Sequence, residues 1–457
     1  MKTMKTFRIG GVHPHDNKEF SAHKAITAVP LPAKAIIPLV QHIGAPAKPV
    51  VQKGDAVKVG QLLAEAGGFV SAPIHSPVSG KVTKIDTAID AWGMKMQAIY
   101  IDVEGDEWLP EIDRTDILVP YTNLEAKDII EKIKNAGIVG LGGACFPTHV
   151  KLMPPPGKKA EVLIVNGVEC EPYLTCDHQL MMERGEQILV GIELVMKALG
   201  INKAIIGIEN NKPDAIAHMQ QLTAGNKSVT VQPLKLRYPQ GGEKQLIDAC
   251  IGRQVPSGAL PIEVGAVVDN VATLFAVYEA VMKNKPLISR VMTVTGKDVK
   301  NPGNYEVRFG TPLADVLEMA GGVPESTGKV IGGGPMMGRA MQNLDMPCNK
   351  RMSGALLMTK EESVRVEPSP CIRCGKCVSA CPMGLEPYLL AKLSAAQNWE
   401  KMEELSIMDC IDCGCCLFTC PSHRPLLDYI RLGKGKVGGI IRARQMATQA
   451  SCEVKKS

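Results

Sequence analysis

Hydrophobic and polar positions alternate between residues 53 and 64, a period of two that predicts β-strands with one buried face. Gly54-Asp55 adds a hairpin signal at the start of this stretch. Residues 160–166 and 203–209 are instead mostly apolar runs, which are typical of buried parallel strands. Apolar residues recur at helical spacing between 186 and 199. The pattern predicts a β-rich region followed by an α/β unit.

The patterning changes twice more towards the C-terminus. Residues 290–345 return to strand-like segments, and residues 387–405 are rich in helix formers. The chain ends in a stretch with seven Lys or Arg and one Glu. A solvated tail and attraction to an anionic membrane surface or an acidic partner both remain open for it. These changes divide the chain into five predicted segments: 1–117, 118–287, 288–360, 361–430 and a basic tail at 431–457.

Composition places the chain among folded globular proteins. Its 457 residues are 45% apolar and 22% charged, enough to bury several cores and too apolar for general disorder. The net charge is only +5, so we expect no nucleic-acid partner. The longest apolar candidate, residues 264–282, is interrupted by Asp269, Asn270 and Glu279, so we expect no bilayer-spanning segment.

The cysteine count is unusual for a chain without an export signal. The N-terminus has no apolar signal region, so we expect a reducing compartment in which the 15 cysteines serve metals or chemistry. Eight of them form two runs with the spacing C-x2-C-x2-C-x3-C-P, at residues 371–382 and 410–421. This is the spacing of bacterial ferredoxins, in which the fourth cysteine binds the other cluster.

The runs therefore predict two [4Fe-4S] clusters with exchanged fourth ligands. One cluster is assigned to Cys371, Cys374, Cys377 and Cys420, and the other to Cys410, Cys413, Cys416 and Cys381. A zinc ribbon would also use C-x2-C pairs, but two complete four-cysteine runs ending in proline favour iron–sulfur. Cys415 falls outside the spacing and is interpreted as a spectator.

A glycine-rich loop is the most informative stretch outside the cysteines. Gly140, Gly142 and Gly143 leave backbone N–H groups bare, so that a phosphate or a flat ring can lie on the chain. Lys151 can add a positive charge. Because turns also use glycine, this loop alone is weak support for a ligand site.

Two further stretches accompany the loop. Asn166, Glu169 and Glu171 follow a predicted strand, where open α/β sheets bind ligands. Gly242 and Glu243 open another predicted helix. Together the three stretches resemble the flavin- and NADH-binding subunit of respiratory complex I. That resemblance implies FMN on the glycine loop and Lys151. It also implies flavin or nicotinamide contacts from Asn166, Glu169, Glu171, Gly242 and Glu243.

The flanking regions resemble other known modules. The 53–82 region is similar to a biotinyl or lipoyl barrel-sandwich hybrid, and residues 288–360 are similar to the β-grasp (SLBB) domain of flavoprotein dehydrogenase subunits. Met94-Lys95-Met96 copies the biotin attachment tripeptide. It comes after both strands of that pattern rather than between them, so an ordinary strand lysine is the favoured interpretation.

The whole order resembles the RnfC family of the Rnf ion-translocating electron transport complex. The implied fold is multidomain α/β plus β: a barrel-sandwich hybrid, a Rossmann-type flavin domain, an SLBB domain and a helical two-cluster ferredoxin module. The implied activity is electron transfer between NAD(H), FMN and the clusters, coupled to Na⁺ or H⁺ movement. The implied partners are RnfA, RnfB, RnfD, RnfE and RnfG, with ferredoxin indirectly. The implied location is peripheral, on the cytoplasmic face of the bacterial inner membrane.

Departures from the complex I pattern leave alternatives open. Leu141 stands for the loop arginine, His149 for a glycine, Val168 for an aspartate and Lys244 for a glutamate. The loss of two acids keeps a flavin-less iron–sulfur adaptor open. A soluble diaphorase subunit of a hydrogenase or formate dehydrogenase is a further alternative, but the doubled cysteine run favours the RnfC family.

Overall fold

The N-terminal region folds as two small facing sheets. The computed structural model describes residues 4–454, with side chains through residue 448. Its first strands are β1 (Thr27–Ala28), β2 (Lys34–Pro38), β3 (Lys48–Pro49), β4 (Ala56–Val57), β5 (Leu62–Glu65), β6 (Ile74–His75), β7 (Gly80–Ile89) and β8 (Lys95–Val103). The antiparallel sheets β2-β8-β7-β4 and β3-β5-β6 enclose a core that includes Ile37, Leu63 and Ile99. Val82 and, in part, Ile85 of β7 enter this core, and a bulge between Val82 and Lys84 interrupts the period of two.

A parallel α/β unit follows. Its elements are α1 (Ala126–Asn135), α2 (Thr148–Lys151), β9 (Val162–Asn166), α3 (Cys176–Leu199), β10 (Ala204–Glu209), α4 (Pro213–Leu222), β11 (Val229–Leu234), α5 (Glu243–Ile251), β12 (Ala266–Asn270) and α6 (Val271–Met282). The strand order is β11-β10-β9-β12. The chain thus winds from β9 towards β11 and then returns to the other side of β9, which makes the β9/β12 boundary the topological switch point.

The third unit is a mixed sheet with one helix against it. It contains β13 (Ser289–Thr295), β14 (Gly303–Arg308), α7 (Leu313–Met319), β15 (Thr327–Gly332), β16 (Arg339–Ala340) and β17 (Gly354–Thr359). The strand order is β1-β14-β13-β17-β15-β16, so β1 from the N-terminal segment forms one edge. Met292, Val307 and Leu317 are buried between sheet and helix.

The cysteine-rich unit is helical. The short α8 (Lys360–Ser363) precedes it and contacts β15 and β17 of the third sheet. The elements of the helical unit are α9 (Lys376–Ser379), α10 (Pro387–Ala395), α11 (Trp399–Glu404), α12 (Cys415–Phe418) and α13 (Leu426–Val454). Leu390, Met402, Ile430 and Val437 form its core. No helix in the described part of the chain combines the length and the apolar character needed to cross a bilayer.

Two regions differ from the sequence-based picture. Residues 5–28 pair with the other units, because Lys5 bridges to Leu234, Val12 pairs with Tyr238 and β1 joins the third sheet. The predicted basic tail begins as a packed helix, since α13 continues without a break past residue 430 and buries Val437. This helix was not predicted from the sequence because residues 433, 435, 438 and 439 are glycines, and glycine is a poor helix former. The predicted tail residues 455–457 lie outside the described residues.

Candidate functional site

The switch point brings the glycine loop onto the ends of two strands. Asn166 ends β9 and Asn270 ends β12, and Asn270 Nδ2 lies 3.4 Å from the Asn166 carbonyl oxygen. A Cβ at Gly142 would lie 2.7 Å from Asn270 side-chain atoms, so only glycine fits there. A Cβ at Gly143 would meet no protein atom within 4 Å. The exposed backbone of residues 142–144 therefore faces open space beside the switch point.

The third loop glycine has a local role. The Gly140 amide donates to the Phe146 carbonyl at 2.9 Å, and this bond closes the loop on itself. Leu141, at the position of the family's arginine, is buried. Its amide donates to Thr273 Oγ1 at 2.9 Å, which anchors the loop to the first turn of α6.

The glycine loop and the carboxyl ends of β9 and β12 border a crevice. Asn270 and Asp177 belong to this crevice but were not predicted from the sequence. Asn270 Nδ2 donates to Asp177 Oδ2 at 2.6 Å, and Asn270 Oδ1 accepts from the Ala272 amide as the N-cap of α6. Burial and then the neighbouring Glu169 carboxylate raise the pKa of Asp177 to about 7. An asparagine that directly follows a buried strand and opens a helix is the signal that could have identified Asn270.

Lys151 lies in the crevice with its charge already balanced. Its Nζ donates to the Val268 carbonyl at 2.7 Å and lies 3.6 Å from Asp269 and 3.7 Å from Glu243. The buried Asp269 carboxylate accepts no hydrogen bond from the described part of the chain. Burial raises the pKa of Asp269, and Lys151 opposes that shift.

The first helical turn of α5 completes the crevice. Asn166 Nδ2 donates to the Gly241 carbonyl at 2.9 Å. Gly242 is the N-cap of α5 and Glu243 is its first residue, so this turn lies between Asn166 and Lys151. Asn166, Lys151 and Glu243, predicted from three separate stretches, thus come together.

The two acids of the 166–172 loop face different regions. Glu169, in a left-handed conformation with φ 46°, accepts the amides of Asp177 at 2.7 Å and His178 at 3.3 Å. Glu171 lies away from the glycine loop and accepts the amides of Met336 at 3.1 Å and Met337 at 2.8 Å. Its burial raises its pKa. Glu169 therefore belongs to the crevice, whereas Glu171 ties the α/β unit to the β15–β16 connection.

The departures from the complex I pattern have structural roles here. Val168 is fully buried, and its carbonyl accepts from the buried Lys212 Nζ at 2.7 Å. His149 is buried in α2. Lys244 Nζ donates to the Pro256 carbonyl at 3.1 Å and lies 3.9 Å from Asp409 in the cysteine-rich unit. None of the three leaves a charge in the crevice.

The crevice residues fit FMN. This group has an anionic phosphate, a chain of hydroxyl groups and a flat ring. The exposed backbone at residues 142–144 suits an anion, and the Asp269 oxygens, which accept no hydrogen bond in the described part of the chain, suit hydroxyl donors. The open space over Gly143 leaves room for a ring to approach the backbone.

Four of the eight predicted ligand cysteines, drawn from both runs, line one partly enclosed cavity. We call Cys381, Cys410, Cys413 and Cys416 the inner set; together with Leu390, Leu427 and Ile430 they form its walls. Three members are almost fully buried, with 7–8% of their surface exposed. This grouping contains the exchange of the fourth cysteine that the spacing predicts.

The other four cysteines lie towards the surface. We call Cys371, Cys374, Cys377 and Cys420 the outer set. Cys371 and Cys374 are exposed, and Cys377 and Cys420 are half-buried at the edge of the helical core. Burial raises the pKa of Cys377, and the nearby Cys420 thiol acts in the same direction. The ligand assignments of both sets stay predictions.

Backbone contacts join the inner set to the rest of the protein. Tyr238 Oη donates to the Cys413 carbonyl at 2.8 Å and also lies 3.2 Å from the Glu171 carboxylate. Gln245 of α5 donates to the Pro382 carbonyl at 3.1 Å. The Gly11 amide donates to the Ala380 carbonyl at 2.9 Å. Tyr238 thus connects the acidic loop that borders the crevice directly to the cysteine loop of the inner set.

Cys415 lies beside the inner set without belonging to its spacing. It is buried, and its Sγ lies 3.9 Å from the Tyr238 carbonyl oxygen, a weak thiol hydrogen bond. It also lines the inner cavity. This placement keeps its thiol in contact with the Tyr238 carbonyl and with the Cys413 side chain of the inner set.

Comparison with protein families matches the chain in four consecutive parts. Residues 5–106 match the RnfC barrel sandwich hybrid domain, and residues 133–279 match the Nuo51 FMN-binding domain. Residues 291–340 match the SLBB domain, and residues 363–421 match a 4Fe-4S dicluster domain. These matches confirm the predicted fold class and the predicted FMN and iron–sulfur cofactors.

Curated relatives match over nearly the whole chain. The C subunit of the proton-translocating ferredoxin:NAD(+) oxidoreductase complex of Clostridium ljungdahlii is 48% identical, covering 95% of this chain and 94% of the relative. The Na(+)-translocating counterpart of Acetobacterium woodii is 45% identical, covering 94% and 97%. The C subunit of the ion-translocating oxidoreductase complex of Rhodobacter capsulatus is 40% identical, covering 95% and 84%. At these identities and this coverage, the chain belongs to the RnfC family, the C subunits of ion-translocating oxidoreductase complexes.

Proposed function

We propose that this chain is the NAD(H)-linked electron-transfer subunit of an Rnf-type ferredoxin:NAD⁺ oxidoreductase complex. Bound FMN would supply the conversion between two-electron hydride transfer and single-electron transfer, and the clusters would carry the single electrons. The inner set would hold the cluster next to the flavin domain, and the outer set would hold the cluster that faces a partner subunit. The ion moved by the complex is Na⁺ or H⁺.

The main support for this proposal is the junction at Tyr238, where the α/β unit meets the cysteine loop of the inner set. One side chain contacts both Glu171, in the loop that borders the crevice, and the Cys413 carbonyl of the inner set. Electron transfer between two cofactors requires them to be held in a fixed arrangement, and buried hydrogen bonds provide one. The first turn of α5 makes a second connection, because it borders the crevice at Glu243 and bonds to Pro382 through Gln245.

The chain's own residues would bind and orient the cofactor and exclude water. Amides at 142–144 would hold the anionic end, while Asn166, Asp269 and Glu243 would position the hydroxyl groups. Asn270 would hold the Asp177 carboxyl against the strand ends. Asp177 would exchange a proton near neutral pH, because burial and Glu169 raise its pKa to about 7.

A flavin-retention assay tests the enzymatic part. The protein is purified anaerobically with its clusters reconstituted, its flavin is extracted and quantified, and NADH-dependent reduction of an artificial acceptor is measured. We expect Gly143→Ala to lose FMN and NADH activity while it keeps its iron, because the added methyl group enters the open space over the loop. Gly225→Ala is the matched control, since a Cβ there also meets nothing within 4 Å. Wild-type protein with neither FMN nor NADH oxidation would contradict the proposal.

The membrane association is proposed to be peripheral, on the cytoplasmic face of the bacterial inner membrane. Partner subunits RnfA, RnfB, RnfD, RnfE and RnfG would provide most of it, and the exposed Lys436 and Arg442 of α13 would add attraction to anionic lipid. Charge reversal is preferable to truncation here because α13 packs into the helical core at Val437. We expect Lys436→Glu with Arg442→Glu to weaken sedimentation with anionic vesicles at low salt. Unchanged sedimentation would mean that Lys436 and Arg442 are solvated and do not contact lipid.

A further inference from the structure

Two histidines and one aspartate meet on the α/β unit, and no cysteine of the two runs belongs to this group. His178 Nε2 lies 2.9 Å from both carboxylate oxygens of Asp214. His23 Nδ1 lies 3.3 Å from Asp214 Oδ2. One ligand atom from each of the three residues falls within 4.8 Å of the other two. Nothing in the electron-transfer role assigned above uses this group.

The fold brings these residues together from three separate elements. His178 lies in the first turn of α3 and Asp214 in the first turn of α4. Both helices start at the carboxyl edge of the parallel sheet, after the neighbouring strands β9 and β10, so their first turns are adjacent. His23 comes from the N-terminal segment that crosses this edge.

Buried hydrogen bonds anchor the chain segment that leads to His23. Two residues earlier, Ser21 Oγ lies 2.8 Å from Thr175 Oγ1, the residue before α3. Further back, the buried Lys18 Nζ donates to the Glu171 carbonyl at 3.1 Å. His23 itself is held in a left-handed conformation with φ 59°, which non-glycine residues rarely adopt. The backbone is therefore anchored where it presents the His23 ring to Asp214.

The three ligand atoms indicate which class of metal ion this group would bind. Two imidazole nitrogens with one carboxylate oxygen suit zinc and other first-row divalent metals, whereas Mg²⁺ and Ca²⁺ take mainly oxygen ligands. We propose that His23, His178 and Asp214 form a site for a divalent transition-metal ion of the zinc class. The side chain of His178 is 5% exposed and that of His23 is 73% exposed, so one ligand is fixed inside while the ion remains open to solvent.

The site would join the N-terminal segment to α3 and α4 beside the crevice. Asp177, which bonds to Asn270 at the switch point, directly precedes His178. Binding would replace the hydrogen bond between His178 Nε2 and Asp214 with bonds from both side chains to the ion. This ion is separate from the iron held by the cysteines.

Zinc binding to the cluster-loaded full chain tests the site. Reconstituted protein is equilibrated anaerobically with Zn²⁺, zinc and iron are measured per chain, and zinc K-edge X-ray absorption reports the neighbouring atoms. We expect one bound zinc with nitrogen and oxygen neighbours at about 2.0–2.2 Å and no sulfur. Loss even of a residue that supports a metal ligand weakens binding about 10- to 100-fold, so His23→Ala should weaken it by at least about tenfold. Asp214→Asn should also weaken it, with iron unchanged in both variants.

The matched control is His15→Ala, an exposed histidine of the same N-terminal segment. It should bind zinc as the wild type does. Because His23 is itself exposed, its replacement removes no core packing and should leave the fold and the iron content intact. Zinc with sulfur neighbours alone, no zinc binding by the wild type, or equal affinity of wild type and His23→Ala would overturn the proposal.

Discussion

The inner and outer cysteine sets have the same spacing but different surroundings. Each run forms a loop and a four-residue helix, α9 or α12, preceded by a left-handed glycine with φ 73° at Gly375 and 78° at Gly414. The inner set is mostly buried and its loop is bonded to the flavin domain, whereas Cys371 and Cys374 of the outer set are exposed. Spacing therefore determines the loop, and tertiary contacts determine which set lies against the α/β unit and which is exposed.

The largest expected difference is in the resistance of the two clusters to iron loss. Protein that holds about eight irons is mixed with an iron chelator. We expect the half of the iron held by the outer set to leave about tenfold faster than the half held by the inner set, because exposed sites open at lower free-energy cost. Iron release is followed by absorbance of the chelate. Cys374→Ala should carry about four irons and lack the fast phase. A single phase for all the iron would show that the two sets do not differ in access.

The loop glycines give a second, smaller contrast. Gly414→Ala and Gly375→Ala both force a side chain into a left-handed conformation, at about 1–2 kcal/mol each. A Cβ at Gly414 would also lie 2.8 Å from the Met336 carbonyl oxygen, whereas Gly375 has nothing within 4 Å. Overpacking adds about 1–3 kcal/mol at Gly414 alone. Thermal denaturation at a fixed scan rate should show the larger decrease for Gly414→Ala, and equal decreases would mean that the inner loop is not packed on Met336.

Two tyrosines give the smallest contrast. Tyr238→Phe removes the hydroxyl that donates to the buried Cys413 carbonyl and lies 3.2 Å from the Glu171 carboxylate, which should destabilise the protein by about 1–3 kcal/mol. Tyr388 lies beside the outer set, and its exposed hydroxyl donates only to Glu386, at 3.3 Å. Tyr388→Phe should change the free energy of unfolding by less than about 0.5 kcal/mol. Similar changes in the two variants, measured by denaturation, would contradict the assignment of Tyr238 to the junction.

The sequence predicted features that depend on short-range patterns. The cysteine spacing, the two buried strands at 160–166 and 203–209, and the glycine loop each repeat a local rule. Asn166, Lys151 and Glu243 also meet as expected, because the carboxyl ends of parallel strands lie at one edge of the sheet.

Features that depend on long-range packing were not predictable in the same way. Tyr238 is one aromatic residue in a loop, and its role arises only when residues 238 and 413 meet. Glu171 shares its loop with Glu169, but only the fold shows that the two carboxylates bond to different elements. Residues 431–441 contain several glycines close together, and their helix is stabilised by packing against Met402 and Leu390.

The central claim is that electrons pass between the flavin domain and the outer cluster through the inner cluster. Rapid mixing of NADH with cluster-loaded protein, followed by electron paramagnetic resonance of the frozen samples, tests this most directly. We predict that Cys374→Ala still shows NADH-driven reduction of its remaining cluster, whereas Cys410→Ala keeps its FMN and shows none on the same timescale. Fast reduction in Cys410→Ala together with its loss in Cys374→Ala would contradict the account.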